Sequence, residues 1–330
     1  MAETTILGAG SWALGLGILL ADNGHEVTVW SAVEDEIRIL EKDRENPKFL
    51  PGIRLPESIK LTLDIAEAAR GGRDVIVLAV ASKFTRATAS RLKGLINPGQ
   101  VIVTVAKGLE ENTLFTLREV ILQELPESDV YVLSGPSHAE EVSRRLPTLV
   151  TIAGEDEEVA KKLQDIFSST VFRVYTSTDW LGVEIGGALK NVIALAAGIS
   201  DGLGYGDNAK AALITRGIRE MSRLAEEMGA NYETLNGLSG LGDLIVTCSS
   251  IHSRNRRAGI LLGQGKSTEE AIAEVNMVVE GIVSAKAAME LATRHKVEMP
   301  IIEAVNKVLF EGMDPRQAVN DLMTREYISE

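Results

Sequence analysis

Lys190 lies in the middle of Val183–Ile199, a run whose apolar residues recur at helical spacing with glycine and alanine packed among them. A lysine so placed either extends its methylene stem until the ammonium reaches water, or it is partly desolvated. Desolvation lowers a lysine's pKa and makes it a candidate proton acceptor near neutral pH. Only Glu184 and Asn191 offer polar surface close by in the chain. Further polar residues fall where strands end or helices begin. Lys107 follows the strand-like VIVTVA, and Ser134-Gly135-Pro136-Ser137 follows DVYVL. Asp243 is a charge among glycine and apolar neighbours in GLSGLGDLIVTC. It is either a functional acid or the N-cap of the run behind it. Ser253-Arg254-Asn255-Arg256-Arg257 opens a helical stretch with Ser253 as its expected N-cap. Guanidinium, hydroxyl and amide donors at a helix start suit a phosphate dianion, and the same residues would also serve as a solvated basic patch.

Open αβ sheets place ligands at strand ends, and the N-terminal half of the chain has the pattern of one. Thr4–Leu7 reads as a strand, Gly8-x-Gly10-x-x-Ala13 as a turn, Leu14–Asn23 as a helix and Glu26–Trp30 as a second strand. This is the dinucleotide fingerprint in its G-x-G-x-x-A form. Gly8 permits the tight turn, Gly10 leaves room for a pyrophosphate, and Ala13 lets helix and sheet approach. The helix start then offers backbone N–H groups to the phosphates. An acid at the tip of the second strand would select NAD through its ribose hydroxyls. Ser31-Ala32-Val33 stands there instead, with neither acid nor arginine. Glu34 and Asp35 come slightly late and suit a helix N-terminus, and Arg38 reads as a surface residue. The choice between NAD and NADP stays open on this ground.

Helix Glu34–Asp43 is expected next, then strands at Ile59–Leu63, Asp74–Val80, Gln100–Ala106 and Asp129–Leu133 with helices between most of them. Continuous β-branched runs such as VIVLAV fit strands buried on both faces of a parallel sheet. A last αβ portion spans Pro147–Thr176. After Ser177 strand-like runs nearly vanish and helical patterns such as Ser267–Val275, Val283–Arg294 and Pro300–Phe310 take over. The expected fold class is α/β: a Rossmann-like doubly wound sheet over residues 1–180, followed by an all-helical domain over 181–330.

A chain of 330 residues is long enough for two such domains. Its net charge of −13 argues against an unaided nucleic-acid or anionic-membrane binder. The single Cys248 leaves no intramolecular disulfide and fits a reducing compartment. With no signal-peptide pattern and no long uninterrupted apolar span, the expectation is a soluble cytoplasmic protein. His25, His138, His252 and His295 are scattered and Cys248 has no thiol partner, so no metal is expected.

The segments GAGSWALGLG, NPKFLPGIRLP, AKGLE, SGPSHAEEV, GVEIGGALKNVIALAAGISDGLGYGDNAKAALITRG, GLSGLGDLIVTC, SRNRRAG and VVEGI together resemble, from end to end, the bacterial NAD(P)-dependent sn-glycerol-3-phosphate dehydrogenase family. The resemblance implies reversible hydride transfer between NAD or NADP and the pair dihydroxyacetone phosphate and sn-glycerol 3-phosphate, feeding phospholipid synthesis. It implies Lys190 as general acid/base. Lys107 would contact substrate and nicotinamide. A second ammonium close by would depress the pKa of Lys190 and stabilise developing alkoxide charge. Asp243, the third catalytic candidate, would oppose that depression, orient Lys190 or bind a hydroxyl. Gly135, Ser137 and Asp243 would line the substrate site, and Ser253, Arg254 and Asn255 would hold the phosphate. Ser11, Trp12, Ala139, Arg254, Val278 and Glu280 would contact the cofactor. It further implies a helical domain similar to that of 6-phosphogluconate dehydrogenase, a site between the domains, and admits a homodimer. The chain departs from the family where His138 replaces a frequent Phe, and where Ser31-Ala32 lacks the basic residue frequent in relatives that favour NADP.

Two other readings use the same N-terminal fold. One is a dehydrogenase of another hydroxy acid, against which SRNRR and GLGDL speak. The other is a cofactor-sensing regulator, against which stand the acidic charge, the lack of a DNA-binding motif and the position of Lys190.

Overall fold

The structure, a computed structural model, describes residues 1–326. It divides into two compact units: Met1–Glu110 with Phe115–Val183, and Glu111–Leu114 with the chain from Glu184 onward.

The first unit is an eight-stranded sheet. Its strands are β1 (Glu3–Leu7), β2 (Glu26–Trp30), β3 (Lys60–Thr62), β4 (Val75–Leu78), β5 (Val101–Thr104), β6 (Asp129–Ser134), β7 (Thr148–Ala153) and β8 (Phe172–Ser177). Their order is β3-β2-β1-β4-β5-β6-β7-β8. Side chains alternate across a strand, and the core divides accordingly. Ile6, Val27, Val29, Val75, Val77 and Val103 pack in one apolar cluster, and Leu7, Trp30, Ile76, Leu78 and Ile102 in another. Burial on both faces is why these strands read as unbroken apolar runs. The strands pair in parallel except at β6–β7, where Val132 faces Ala153 and Ser134 faces Thr151 antiparallel. The strand order reverses between β1 and β4, the switch point at which such sheets bind ligands.

The first helix begins at Ser11 rather than at the expected Leu14, because the glycine turn is complete at Gly10, whose carbonyl accepts the Leu14 N–H. Gly8 holds φ +130°, and a Cβ there would come within 2.7 Å of the Ala79 carbonyl oxygen. Only glycine satisfies that turn beside β4.

Among the described residues, no strand follows Ser177. The helix Trp180–Gly202 is long and apolar enough to cross a membrane by length and composition, yet its apolar window is entirely buried within the protein. It packs backbone to backbone on the helix Arg254–Gly263. A Cβ on Gly198 would lie 2.2 Å from the Arg256 carbonyl oxygen, and one on Gly259 would lie 2.2 Å from that of Leu195. Any side chain there would push the two helices apart. Asp201 reinforces the contact by pairing with Arg256 and Lys210 at 2.7 and 2.9 Å.

A buried carboxylate starts the helix Pro300–Phe310. Glu220 accepts the main-chain N–H groups of Ile301 and Ile302, which replaces the missing side-chain cap at Met299. Burial raises its pKa from 4.5 to about 7, outweighing those backbone bonds and Arg223. A carboxyl group with a raised folded pKa binds its proton more tightly in the native state. Its stabilising effect is therefore complete below the unfolded pKa and fades as pH rises from 4.5 to about 7. The loss over that window is about 3 kcal/mol. Glu220→Gln keeps an acceptor without a titration, so chemical unfolding at a series of pH values should show wild-type stability declining relative to the variant. Parallel profiles would refute the assignment.

Candidate functional site

In the second unit Lys190 does not snorkel: the residue is 6 % exposed. Its Nζ donates to Asp243 Oδ1 at 2.8 Å and to Thr247 Oγ1 at 2.6 Å. Thr247 donates in turn to the Asp243 carbonyl oxygen at 2.6 Å. Asp243 is itself 1 % exposed and heads the helix Asp243–Ser249. The N-cap position belongs to Gly242, and no side chain caps that helix. The N-cap reading of Asp243 is therefore replaced by a buried ion pair. One helical turn separates Asp243 from Thr247, which sets both on the face that meets Lys190. Sequence reasoning missed Thr247, although its i+4 spacing from Asp243 was a signal. Breaking a buried pair of this kind costs about 3–5 kcal/mol because the remaining charge is left uncompensated. Cys248, next in the chain, is a thiol that burial pushes up to about 12, so it stays protonated and is no nucleophile near neutral pH.

The basic run divides into separate tasks. Ser253 is the N-cap: its Oγ accepts the Arg256 N–H at 3.2 Å. Arg254 is the first helical residue and is half-buried. Arg256 is committed to Asp201, and Arg257 is exposed. Asn255 is buried and joins three helices. Its Nδ2 donates to Asn191 Oδ1 at 2.9 Å, and its Oδ1 accepts the Gly281 N–H at 2.9 Å. Asn191 directly follows Lys190, so this link ties the start of the arginine-bearing helix to the lysine's own turn. Sequence reasoning noticed Asn191 only as a polar neighbour. Val278 and Glu280, also in this unit, flank the start of the helix Glu280–His295 and are half-buried.

In the first unit Lys107, just beyond β5, donates from Nζ to the Gly135 carbonyl oxygen at 3.0 Å. Ser137 Oγ donates to the same oxygen at 2.9 Å. The structure thus groups three sequence-expected residues behind β5 and β6. His138 occupies the N-cap position of the short helix Ala139–Val142 without a side-chain cap bond. Ala139 lies against Gly15, where an added Cβ would meet its carbonyl oxygen at 3.5 Å.

The turn from Gly8 to Ala13 fits a dinucleotide. A Cβ on Gly10 would meet nothing within 4 Å, so the backbone faces open space where a pyrophosphate would lie. No side chain caps the helix that starts there, Ser11 and Trp12 are partly exposed, and Ala13 is buried against the sheet. First-turn N–H groups beside open space are what a phosphate requires.

Sequence models described as NAD-dependent glycerol-3-phosphate dehydrogenase N-terminus and C-terminus match residues 3–160 and 179–320. A glycerol-3-phosphate dehydrogenase [NAD(P)+] of Agathobacter rectalis is 58 % identical over 99 % of this chain and 97 % of its own. One from Fusobacterium nucleatum is 56 % identical over 99 % of this chain and 98 % of its own. A crystal structure of glycerol-3-phosphate dehydrogenase from Coxiella burnetii superposes with a TM-score of 0.94 at 40 % identity, covering 98 % of both chains.

Proposed function

The chain belongs to the NAD-dependent glycerol-3-phosphate dehydrogenase family, and from that membership we propose that it interconverts dihydroxyacetone phosphate and sn-glycerol 3-phosphate with NAD or NADP. The observation that carries this reading within the chain is the ammonium of Lys190, buried and aimed by Asp243 and Thr247.

Reducing a ketone requires a hydride at carbon and a proton at oxygen. Bound at the Gly8–Ala13 turn, a reduced nicotinamide dinucleotide supplies the hydride. Lys190 gives its proton to the substrate's C2 oxygen as negative charge gathers there, and takes it back in the oxidative direction. Asp243 keeps the ammonium in place and Thr247 fixes its direction, so little reorganisation is needed when the charge develops. Arg254, with Ser253 and the start of its helix, binds the phosphate dianion. Asn255 completes that end of the substrate and sets it relative to Lys190 through Asn191. Lys107, Gly135 and Ser137 orient the polar end of the substrate, and Lys107 adds positive charge near the nicotinamide. Ser11, Trp12, Ala139, Val278 and Glu280 contact the cofactor. The enzyme acts in the cytoplasm and supplies glycerol phosphate for glycerophospholipid synthesis.

Purified protein should oxidise a reduced nicotinamide dinucleotide when dihydroxyacetone phosphate is added, followed by loss of nicotinamide absorbance. Turnover of 6-phosphogluconate or a 3-hydroxyacid in place of glycerol phosphate would reject this substrate. Nucleotide binding without any turnover would favour a sensor.

A further inference from the structure

The tip of β2 bears on a choice that the G-x-G-x-x-A turn leaves open. In this fold the adenosine ribose sits at that tip. β2 ends at Trp30, and the next residue, Ser31, is buried. Its Oγ donates to Glu36 Oε2 at 2.6 Å and accepts the Val33 N–H at 3.1 Å. A hydroxyl carries one proton, and that of Ser31 is given to Glu36. The carboxylate that a dinucleotide-binding strand usually carries at its own end is here folded back from the first turn of the helix Glu34–Asp43. Glu34 and Asp35 add two more acids to the same turn. Of the two cations in that helix, Lys42 stands in the last turn, away from the tip, and Arg38 bonds Asp35 at 2.6 Å and lies 3.9 Å from Glu34. Arg91 lies with its guanidinium 4.8 Å from the centre of the Trp30 ring.

We propose that the Ser31–Glu36 pair makes this chain select NADH over NADPH, an inference that rests on the reading that the Gly8–Ala13 turn binds a nicotinamide dinucleotide. A ribose 2′-hydroxyl is a neutral donor, and a carboxylate accepts its proton. A 2′-phosphate is an acceptor only and carries about two negative charges. At this tip it meets a carboxylate, and the Ser31 hydroxyl has already given its proton away. Glu36 is half-buried, so its repulsion is screened only in part, and a preference of tenfold or more is expected, roughly what one like charge imposes at intermediate dielectric.

The test is calorimetric titration of the full chain with NADH and, separately, with NADPH, repeated on Glu36→Gln and Arg91→Ala. The amide of Glu36→Gln still accepts from Ser31 while the charge is gone. NADH should bind at least about tenfold more tightly than NADPH in the wild type, and Glu36→Gln should shrink that ratio by about tenfold. Competition by adenosine 2′,5′-bisphosphate against adenosine 5′-phosphate should follow the same order. Equal affinities, or a ratio that Glu36→Gln leaves unchanged, would overturn the role of the pair while leaving nucleotide binding intact. A preference for NADPH that disappears in Arg91→Ala would overturn it too, and assign the 2′-phosphate to Arg91. Binding of neither nucleotide would overturn both this inference and the reading beneath it.

Discussion

Lys190→Ala is expected to lower turnover by about three orders of magnitude, within the range general acid–base catalysis contributes, while the dissociation constant for the dinucleotide changes little. The fall follows from geometry. Lys190 is the ammonium that Asp243 and Thr247 hold in one direction, and water does not replace a proton donor fixed in that way. The same variant leaves Asp243 buried without its partner, so a loss of stability of about 3–5 kcal/mol is also expected. The two effects are separable. In Lys190→Met/Asp243→Asn the uncompensated charge is gone, so thermal stability should recover while turnover stays low. If turnover recovers along with stability, the lysine is a structural element of the helix pair and not the acid. Near-normal turnover in Lys190→Ala alone leads to the same conclusion.

Arg254→Ala should raise the Michaelis constant for dihydroxyacetone phosphate by about 10- to 100-fold, the equivalent of one or two charge-assisted hydrogen bonds, with a smaller change in turnover. Arg256→Ala provides the contrast. Its guanidinium is bound to Asp201, so its removal should reduce thermal stability more than it weakens substrate binding. Dihydroxyacetone without its phosphate supplies the control, because Arg254→Ala and wild type should handle it alike. A Michaelis constant for the phosphorylated substrate unchanged in Arg254→Ala would take that residue out of the phosphate site. Equal penalties on both substrates would show that the helix start had moved instead of losing one contact.

Parts of this arrangement were legible in the sequence because they are local. The helix Glu34–Asp43 and the strand Glu26–Trp30 have the bounds that their patterns suggest, and Ser253 caps its helix as a serine before a helical run should. Family membership was legible as well, since the long segments around Lys190 and Asp243 are runs of contiguous residues that carry the resemblance without any tertiary information. Other parts were not. The antiparallel β7 reads like its parallel neighbours, because TLVTIA is as apolar and β-branched as they are even with Leu149 exposed, and side-chain type does not record which way a strand points. Thr247 looked like any helical threonine, and Glu36 like any acid in a first turn.

By itself, the sequence determined the order of strands and helices, the glycine turn and the residue types that could move a proton or hold a phosphate. These follow from periodicity and from backbone demands that each segment settles alone. The tertiary structure decided which of those residues work together. It set Asp243 and Thr247 on Lys190, committed Arg256 to Asp201, tied Asn255 to Asn191, and returned Glu36 to Ser31. Most of these pairs join residues more than fifty positions apart. Such partners are chosen by helix packing, and the close approach at Gly198 and Gly259 becomes visible only when both helices are in place. Ser31–Glu36 is the short-range exception, decided by the path of the chain leaving β2 instead of by the spacing of its residues.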